Sequence, residues 1–153
     1  MGVQRPLDDI AGEIVDAAFK LHTGLGPGLL ESVYEAVLAR DLQRRGLTIE
    51  RQKPVSFEYE FVGGLRIDLL VDSQVVVEIK SVEKSVPVHA KQVPAYLRLL
   101  KLPVGLLINF GAPTLKDGLQ RIVNGLHQSA SPRLRVNQPG GSQAPLSRGQ
   151  TKE

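Results

Sequence analysis

The chain of 153 residues contains no cysteine and only three histidines. The absence of cysteine excludes disulfides, thiolate nucleophiles and cysteine-ligated zinc, so oxygen atoms are the expected ligands of any bound metal. No apolar run approaches the ~18 residues that a membrane-spanning helix needs, and the N-terminus lacks the pattern of a signal peptide. We therefore expect a cytoplasmic protein with no membrane partner.

The positive charge is unevenly distributed along the chain. The formal net charge is +3, but residues 1–125 contain 15 basic and 15 acidic side chains, so the excess lies in residues 126–153. That second segment is rich in Ser, Pro, Gly and Gln and poor in apolar residues, which predicts one folded domain over 1–125 and a disordered basic tail over 126–153. Nonspecific contact with nucleic acid and a purely solubilising role are both compatible with such a tail.

Residues 67–80 contain two apolar runs around a short polar segment, which predicts a β-hairpin. The period-two alternation of a strand places Glu78 and Lys80 on one face. Asp68 lies directly opposite Glu78 only if the loop has three residues, 72–74. A two-residue loop would turn Asp68 to the other face of the sheet, so the site depends on the length of this loop.

Glu78 stands in a run of aliphatic residues that indicates a strand covered on both faces. A carboxylate in such a place needs a counter-charge, a proton or a metal ion. The simplest alternative is an ion pair between Glu78 and Lys80 on a solvent-exposed edge strand.

Helical spacing of apolar residues precedes the hairpin. It predicts one helix over residues 7–22 and a second over about residues 29–45. Glu31 lies in the first turn of the second helix, where its charge would also favour the positive helix end. The glycine-rich segment 24–28 follows no strand and lacks the Lys-Ser/Thr ending of a phosphate-binding loop. The buried stripe of the second helix should consist of Leu30, Val33, Tyr34, Val37 and Leu38.

Further strands are predicted before the hairpin. A short strand is expected near residues 47–51, and alternating apolar and polar residues indicate another over 55–62. The pair Gly63 and Gly64 is typical of a turn that leads into the hairpin. The sequence therefore predicts a three-stranded antiparallel meander.

A helix is predicted over about residues 88–101, with His89, Gln92 and Tyr96 on one face. Pro94 lies within it, and because an interior proline costs about 3 kcal/mol, the regular helix is expected to begin near Gln92. A solvent-exposed polar stripe with a half-buried tyrosine is the alternative for these three side chains.

The continuous apolar run 104–110 suits a buried strand, parallel to its neighbour after the helical crossover. Thr114 and Asp117 then resemble a helix cap, followed by apolar spacing that predicts a final helix to about Gly125.

Residues 28–34, which read Gly-Leu-Leu-Glu-Ser-Val-Tyr, resemble the signature of the GxxExxY proteins, a family of the PD-(D/E)XK nuclease-like superfamily. The resemblance covers about residues 8–125. It implies an α/β fold with a restriction-endonuclease-like core, in which helices flank a mixed central sheet. The other positions that match the family pattern are Asp68, Glu78, Ile79, Lys80, His89, Gln92 and Tyr96.

The resemblance also implies a metal site. Asp68 and Glu78 would hold a divalent cation, usually Mg²⁺ with Mn²⁺ as the alternative, together with the carbonyl oxygen of Ile79. Glu31 would support the metal through water. The first motif here is Ile67-Asp68 instead of Pro-Asp, so the carboxylate is retained.

The remaining roles implied by the resemblance belong to Lys80, which would orient or activate the attacking water, and to Gln92 and Tyr96, which would line the site. The implied function is hydrolysis of phosphodiester bonds in nucleic acid, with DNA as the expected substrate. Two alternatives remain open. One is a catalytically silent nuclease-like module that binds nucleic acid or a protein partner, as a homodimer or beside a separately encoded protein; the other is an enzyme acting on a small phosphate compound.

Overall fold

The computed structural model describes residues 4–56, 61–84 and 86–125. Within these residues no helix is long and apolar enough to cross a membrane. The predicted tail, residues 126–153, lies outside the described residues. The elements in chain order are α1 (Leu7–Leu25), α2 (Glu31–Arg44), β1 (Ile49–Ser56), β2 (Phe61–Val71), β3 (Val75–Lys80), α3 (Pro87–Leu100), β4 (Val104–Asn109), α4 (Leu115–Gly118) and β5 (Leu119–Val123).

The five strands form one mixed sheet in the order β1-β2-β3-β4-β5. Neighbouring strands are antiparallel except for β3 and β4, which are parallel and joined through α3. This arrangement confirms the predicted α/β fold, with an antiparallel meander followed by a strand added after a helical crossover. Because β3 lies in the middle of the sheet, it has a hydrogen-bonded neighbour on each side.

Apolar clusters cover both faces of the sheet. One cluster joins α1 and α2 to strand residues that include Val75, Val77 and Ile79, and the other joins α3 to residues that include Val76. Burial on both faces is what the apolar sequence of β3 predicted. By alternation, Glu78 shares the α3 face with Val76.

The strand boundaries before the hairpin differ from the prediction. β1 is a single strand where two segments were expected, and Gly63 and Gly64 lie inside β2 instead of in a turn. Pairing continues through Pro54, opposite Arg66, because an edge strand tolerates a residue without an N–H group. The connection between the two strands, residues 57–60, lies outside the described residues.

The helix α3 begins at Pro87 and continues through Pro94, so the prediction of a start near Gln92 is wrong. Val93 and Leu97, on either side of the proline, are fully buried against the sheet. Burial of two such side chains contributes about 1.5–3 kcal/mol each, which offsets the cost of about 3 kcal/mol for the proline.

The predicted final helix is wrong beyond Gly118. Thr114 caps a helix as predicted, because its hydroxyl accepts a hydrogen bond from the Asp117 N–H at 3.2 Å, but this helix ends at Gly118. The chain then turns back as β5 beside β4. A Cβ atom at Gly118 would lie 2.2 Å from the Asn109 carbonyl oxygen, so glycine permits this close return.

The buried stripe of α2 also differs from the prediction. Leu30 is 73% exposed and Val33 is 39% exposed, whereas Glu35 is buried. The apolar residues that α2 buries are therefore Tyr34, Leu38 and Leu42, and the first turn of the helix lies at the surface.

Candidate functional site

The hairpin loop has the three residues that the site requires. Val71 pairs with Val75, so the loop consists of residues 72–74. Asp72 and Ser73 adopt left-handed backbone conformations, with φ of 50° and 56°. The Asp72 carboxylate accepts a hydrogen bond from the N–H of Thr48 at 2.8 Å, which supports this loop. The register condition is met, and Asp68 comes to lie beside Glu78.

Side-chain carboxylates replace backbone partners where β2 and β3 separate. The last paired residues of this hairpin are Leu69 and Val77. Beyond them, the Ile79 N–H donates to Asp68 Oδ2 at 2.8 Å, and the Asp68 N–H donates to Glu78 Oε1 at 3.2 Å. Each carboxylate therefore accepts an N–H group of the opposite strand, and the fork between the strands holds both acids together.

The environment of Glu78 disfavours its ionised form. The residue is 4% exposed. Burial is the largest cause that raises the pKa of Glu78, to about 8, and the neighbouring charge of Asp68 adds to it. The charge of Glu31 raises the pKa of Glu78 further, while the Asp68 N–H and Lys80 lower it. A buried acid next to a second acid favours a bound proton or cation.

Tyr96 lies close to both acids, on the face of α3 that covers the sheet. It is 5% exposed. Burial and the charges of Glu78 and Asp68 raise the pKa of Tyr96. The structure thus brings Tyr96 to the acid pair from the following helix, and the alternative of a half-buried tyrosine on a solvent-exposed stripe is wrong.

Lys80 is half-buried at the end of β3 and forms no ion pair with any acid in the described part of the chain. The alternative of an ion pair between Glu78 and Lys80 on an edge strand is therefore wrong on both counts, since β3 is also central. The ammonium group is left available to another partner.

Glu31 is the first residue of α2 and is exposed. The segment before it is fixed from two directions. The Ser81 hydroxyl donates to the Leu29 carbonyl, which links this segment to the residue after Lys80. From within α2, the Tyr34 hydroxyl donates to the Gly26 carbonyl and accepts from the Leu29 N–H at 3.2 Å.

The tyrosine of the 28–34 motif is thus an anchor and not a site residue. Tyr34 is fully buried and stacks on Phe110, with ring centroids 4.5 Å apart and an interplanar angle of 5°. Its hydroxyl holds the segment that leads into Glu31. The motif therefore combines one acid whose charge raises the pKa of Glu78 with one aromatic residue that fixes the backbone before it.

Gln92 lies one helical turn before Tyr96. Its Oε1 atom is buried and has no hydrogen-bond partner among the described residues. A buried acceptor of this kind requires a donor that the described residues do not provide. His89 instead accepts a hydrogen bond from the Val86 N–H at 3.4 Å and so caps the start of α3.

Asn109 was not predicted from the sequence, although it supports the site. Its Oδ1 accepts from the N–H groups of Val82 and Gly111, both at 3.0 Å, and its Nδ2 donates to the Val82 carbonyl at 2.9 Å. These bonds hold the segment that follows Lys80. Asn109 could have been found in the sequence as the one polar residue in an otherwise apolar strand, because a buried amide needs hydrogen-bond partners.

A second hydrogen-bonded group, formed by Gln52, Glu35 and Arg51, could not be recognised from the sequence.

The donor set fits a hard divalent cation. Two carboxylates and the neighbouring backbone carbonyl of Ile79 are oxygen donors, which Mg²⁺ prefers. Over residues 4–56, 61–84 and 86–125, no three His, Asp or Glu side chains converge on one metal position. Mg²⁺ commonly takes only one or two carboxylates and keeps several waters, so two acids suffice.

A mixed sheet that presents two carboxylates and a lysine where its central strands separate is the architecture expected of a restriction-endonuclease-like protein. A family model described as the PD-(D/E)XK nuclease superfamily matches residues 8–122 of this chain. The chain therefore belongs to the PD-(D/E)XK nuclease superfamily, whose nucleases generally use divalent metal ions and act on nucleic acid. No curated protein and no solved structure matches the chain.

Proposed function

We propose that the chain is a metal-dependent nuclease of the GxxExxY type, which hydrolyses phosphodiester bonds in nucleic acid, with DNA as the substrate. The observation that supports this most strongly is the pair of acids Asp68 and Glu78, of which Glu78 is buried, held together at the strand fork and adjacent to Lys80. A silent module that only binds nucleic acid or protein has no need for two adjacent acids, one of them buried, beside a lysine that forms no ion pair among the described residues.

In this proposal, Asp68, Glu78 and the carbonyl oxygen of Ile79 would hold Mg²⁺ or Mn²⁺, and Glu31 would act on the metal through water. The bound metal would acidify a water molecule and neutralise the charge that develops on the phosphate. The acids themselves keep the site negatively charged when ionised, which selects a cation over other ligands.

Lys80 is proposed to orient the attacking water. Its ammonium group is a hydrogen-bond donor that does not compete with the acids as a metal ligand. Tyr96 and Gln92 are proposed to line the site from α3. Gln92 Oε1, which has no partner in the described part of the chain, can accept from a donor such as the Lys80 ammonium, and Tyr96 restricts access of solvent to the acids.

The direct test measures cleavage of single-stranded, duplex and branched DNA and of RNA by purified protein with Mg²⁺ or Mn²⁺. Asp68→Asn and Lys80→Met should lower the rate by at least about 100-fold, in the range found for loss of a catalytic group. Lys116→Met, at an exposed position on α4, is the matched control and should cleave at the rate of the unmodified protein.

Two results would contradict the proposal. One is the absence of cleavage on every nucleic acid with both metals, and the other is cleavage that persists in both Asp68→Asn and Lys80→Met. Calorimetric titration of Mg²⁺ and Mn²⁺ separates the alternatives, because absence of metal binding at millimolar concentration, even with nucleic acid present, would favour the silent binding module.

A further inference from the structure

Gln52 has an unusual backbone conformation directly opposite the candidate site. Its φ is 50°, in the left-handed region, although it is not glycine. The flanking residues pair regularly, Arg51 with Leu69 and Lys53 with Ile67, but Gln52 does not pair with Asp68. A left-handed conformation costs a non-glycine residue about 1–2 kcal/mol, and such strain concentrates at functional sites.

The side chain of Gln52 bridges two acids. Its Nε2 donates to Glu35 Oε1 at 2.7 Å and to Asp68 Oδ1 at 3.2 Å. Glu35 is 6% exposed and its other oxygen, Oε2, accepts from Arg51 Nε at 3.0 Å. The amide nitrogen has two hydrogens, so both are used, and the bridge is anchored on a buried residue of α2.

This bridge completes the hydrogen bonding of the Asp68 carboxylate. Oδ1 accepts from Gln52 and Oδ2 accepts from the Ile79 N–H. Two donors, one on each oxygen, fix the rotation of the carboxylate plane about the Cβ–Cγ bond. A lysine or arginine here would also pair with Asp68, but it would neutralise the charge that attracts a cation. A neutral amide orients the acid and leaves its charge in place.

We propose that Gln52 is a positioning residue, whose carboxamide, anchored on Glu35, holds the Asp68 carboxylate in the orientation that binds the divalent metal. The relevance of Gln52 to catalysis rests on the proposed function. The test of its positioning role instead measures metal affinity and the NMR signal of the Ile79 amide proton. The hydrogen bond of Gln52 to the buried Glu35 contributes to folding, so a variant that keeps this bond is needed to separate the orientation of Asp68 from stability.

Three variants distinguish the effect of the Gln52 side-chain amide on metal binding from the effect of its left-handed backbone. Gln52→Leu removes the donor and keeps the backbone strain, whereas Gln52→Gly removes the donor and relieves the strain. In the exchange Gln52→Glu with Glu35→Gln, the amide at position 35 can donate to position 52 and accept from Arg51. This exchange keeps the bridge between α2 and β1 but replaces the donor to Asp68 Oδ1 by a carboxylate, so that the Ile79 N–H is the donor that Asp68 retains.

We expect all three variants to bind Mg²⁺ and Mn²⁺ about 10–100-fold more weakly by calorimetry, the effect typical of losing a residue that orients a metal ligand. In metal-free protein, the Ile79 amide proton should shift upfield in NMR spectra and exchange faster with solvent, since its acceptor Asp68 is less fixed. The unfolding midpoint of the exchange variant, which keeps the bridge to position 35, should stay close to that of the unmodified chain, whereas Gln52→Leu should be less stable because the buried Glu35 loses a donor.

Wild-type metal affinity together with an unchanged Ile79 amide signal in Gln52→Leu would overturn the inference. Weak binding in Gln52→Leu but normal binding in Gln52→Gly would overturn it as well, because the backbone and not the amide would then be responsible. Unmodified protein that binds metal but cuts no nucleic acid would contradict the proposed function alone. If the unmodified protein binds neither metal, the Ile79 amide signal still decides the role of Gln52.

Discussion

Replacement of Glu78 by glutamine should stabilise the metal-free protein while abolishing the proposed metal site. The folded chain keeps Glu78 in a buried place beside Asp68, where its pKa rises from 4.5 to about 8. The unfolded chain releases the proton near pH 4.5. Between these two values the folded state binds more protons, so the free energy of unfolding falls as the pH rises. Glutamine has no ionisable proton and therefore removes this dependence.

The size of the effect follows from the two pKa values. One pKa unit corresponds to about 1.4 kcal/mol, so the full difference between 4.5 and about 8 amounts to about 5 kcal/mol above pH 8. At pH 7 the penalty is about 3 kcal/mol, and it is nearly absent at pH 4.5. The oxygen of the glutamine amide can still accept the Asp68 N–H, so Glu78→Gln should gain most of this energy.

The assay is urea unfolding in the presence of a chelator at several pH values from about 4.5 to 8.5. The two proteins should have nearly equal stability at the acidic end and diverge as the pH rises, with the Glu78→Gln variant more stable. Glu31→Gln is the control, because Glu31 is exposed and makes the smallest contribution to the pKa of Glu78. Parallel stability curves for Glu78→Gln and the unmodified chain across this range would refute the reasoning.

Three further substitutions test the scaffold around the site. Gly105→Ala should lower the free energy of unfolding by about 1–3 kcal/mol in urea, because the added Cβ would lie 2.4 Å from a methyl group of Val93. Tyr34→Phe should cost about 1–2 kcal/mol, since it leaves the Gly26 carbonyl without its hydroxyl donor; unchanged stability would contradict this. Asn109→Leu removes two hydrogen bonds to Val82, in the segment after Lys80, and one to Gly111, and should cost about 2–4 kcal/mol, with faster amide exchange at Val82.

The pairing of Asp68 with Glu78 could be predicted from the sequence only as a condition. Both faces of the hairpin strands are apolar, with Leu69 in one core cluster and Leu70 in the other. A slip of one residue would therefore bury a similar set of side chains, and the hydrophobic pattern could not choose the register. The left-handed residues of the loop decide it, and loop conformation is not visible in a strand pattern.

The two largest differences in the fold have one physical origin. The segment Leu119–Val123 is short and apolar enough for either a helix or a strand, and the free edge of β4 selects the strand. β1 continues through Pro54 because β2 offers it a partner over its length. In both cases a neighbour that is distant in sequence determines the local structure, which local periodicity does not report.

Gln52 could not be predicted for a related reason. Glutamine has no preference for left-handed backbone, and it stands in a polar stretch of a strand. Gln52 reaches Asp68 only because β1 pairs with β2, and its amide is anchored only because α2 places Glu35 beside it. A positioning residue of this kind acts through two long-range contacts, so no local motif marks it.

The two carboxylates at the strand fork destabilise the metal-free fold, and the same two carboxylates would attract a cation. In a regular sheet, backbone carbonyls would accept the N–H groups of Asp68 and Ile79; here two carboxylates accept them, and one of those acids is nearly inaccessible to water. The surrounding buried residues of β3 hold this arrangement in place, so its unfavourable electrostatics do not open the strand. A cation that binds there relieves the same repulsion that raises the pKa of Glu78. The free energy that the metal-free fold loses at Glu78 is therefore available to metal binding, which is why the more stable Glu78→Gln variant should also be the one that binds no metal.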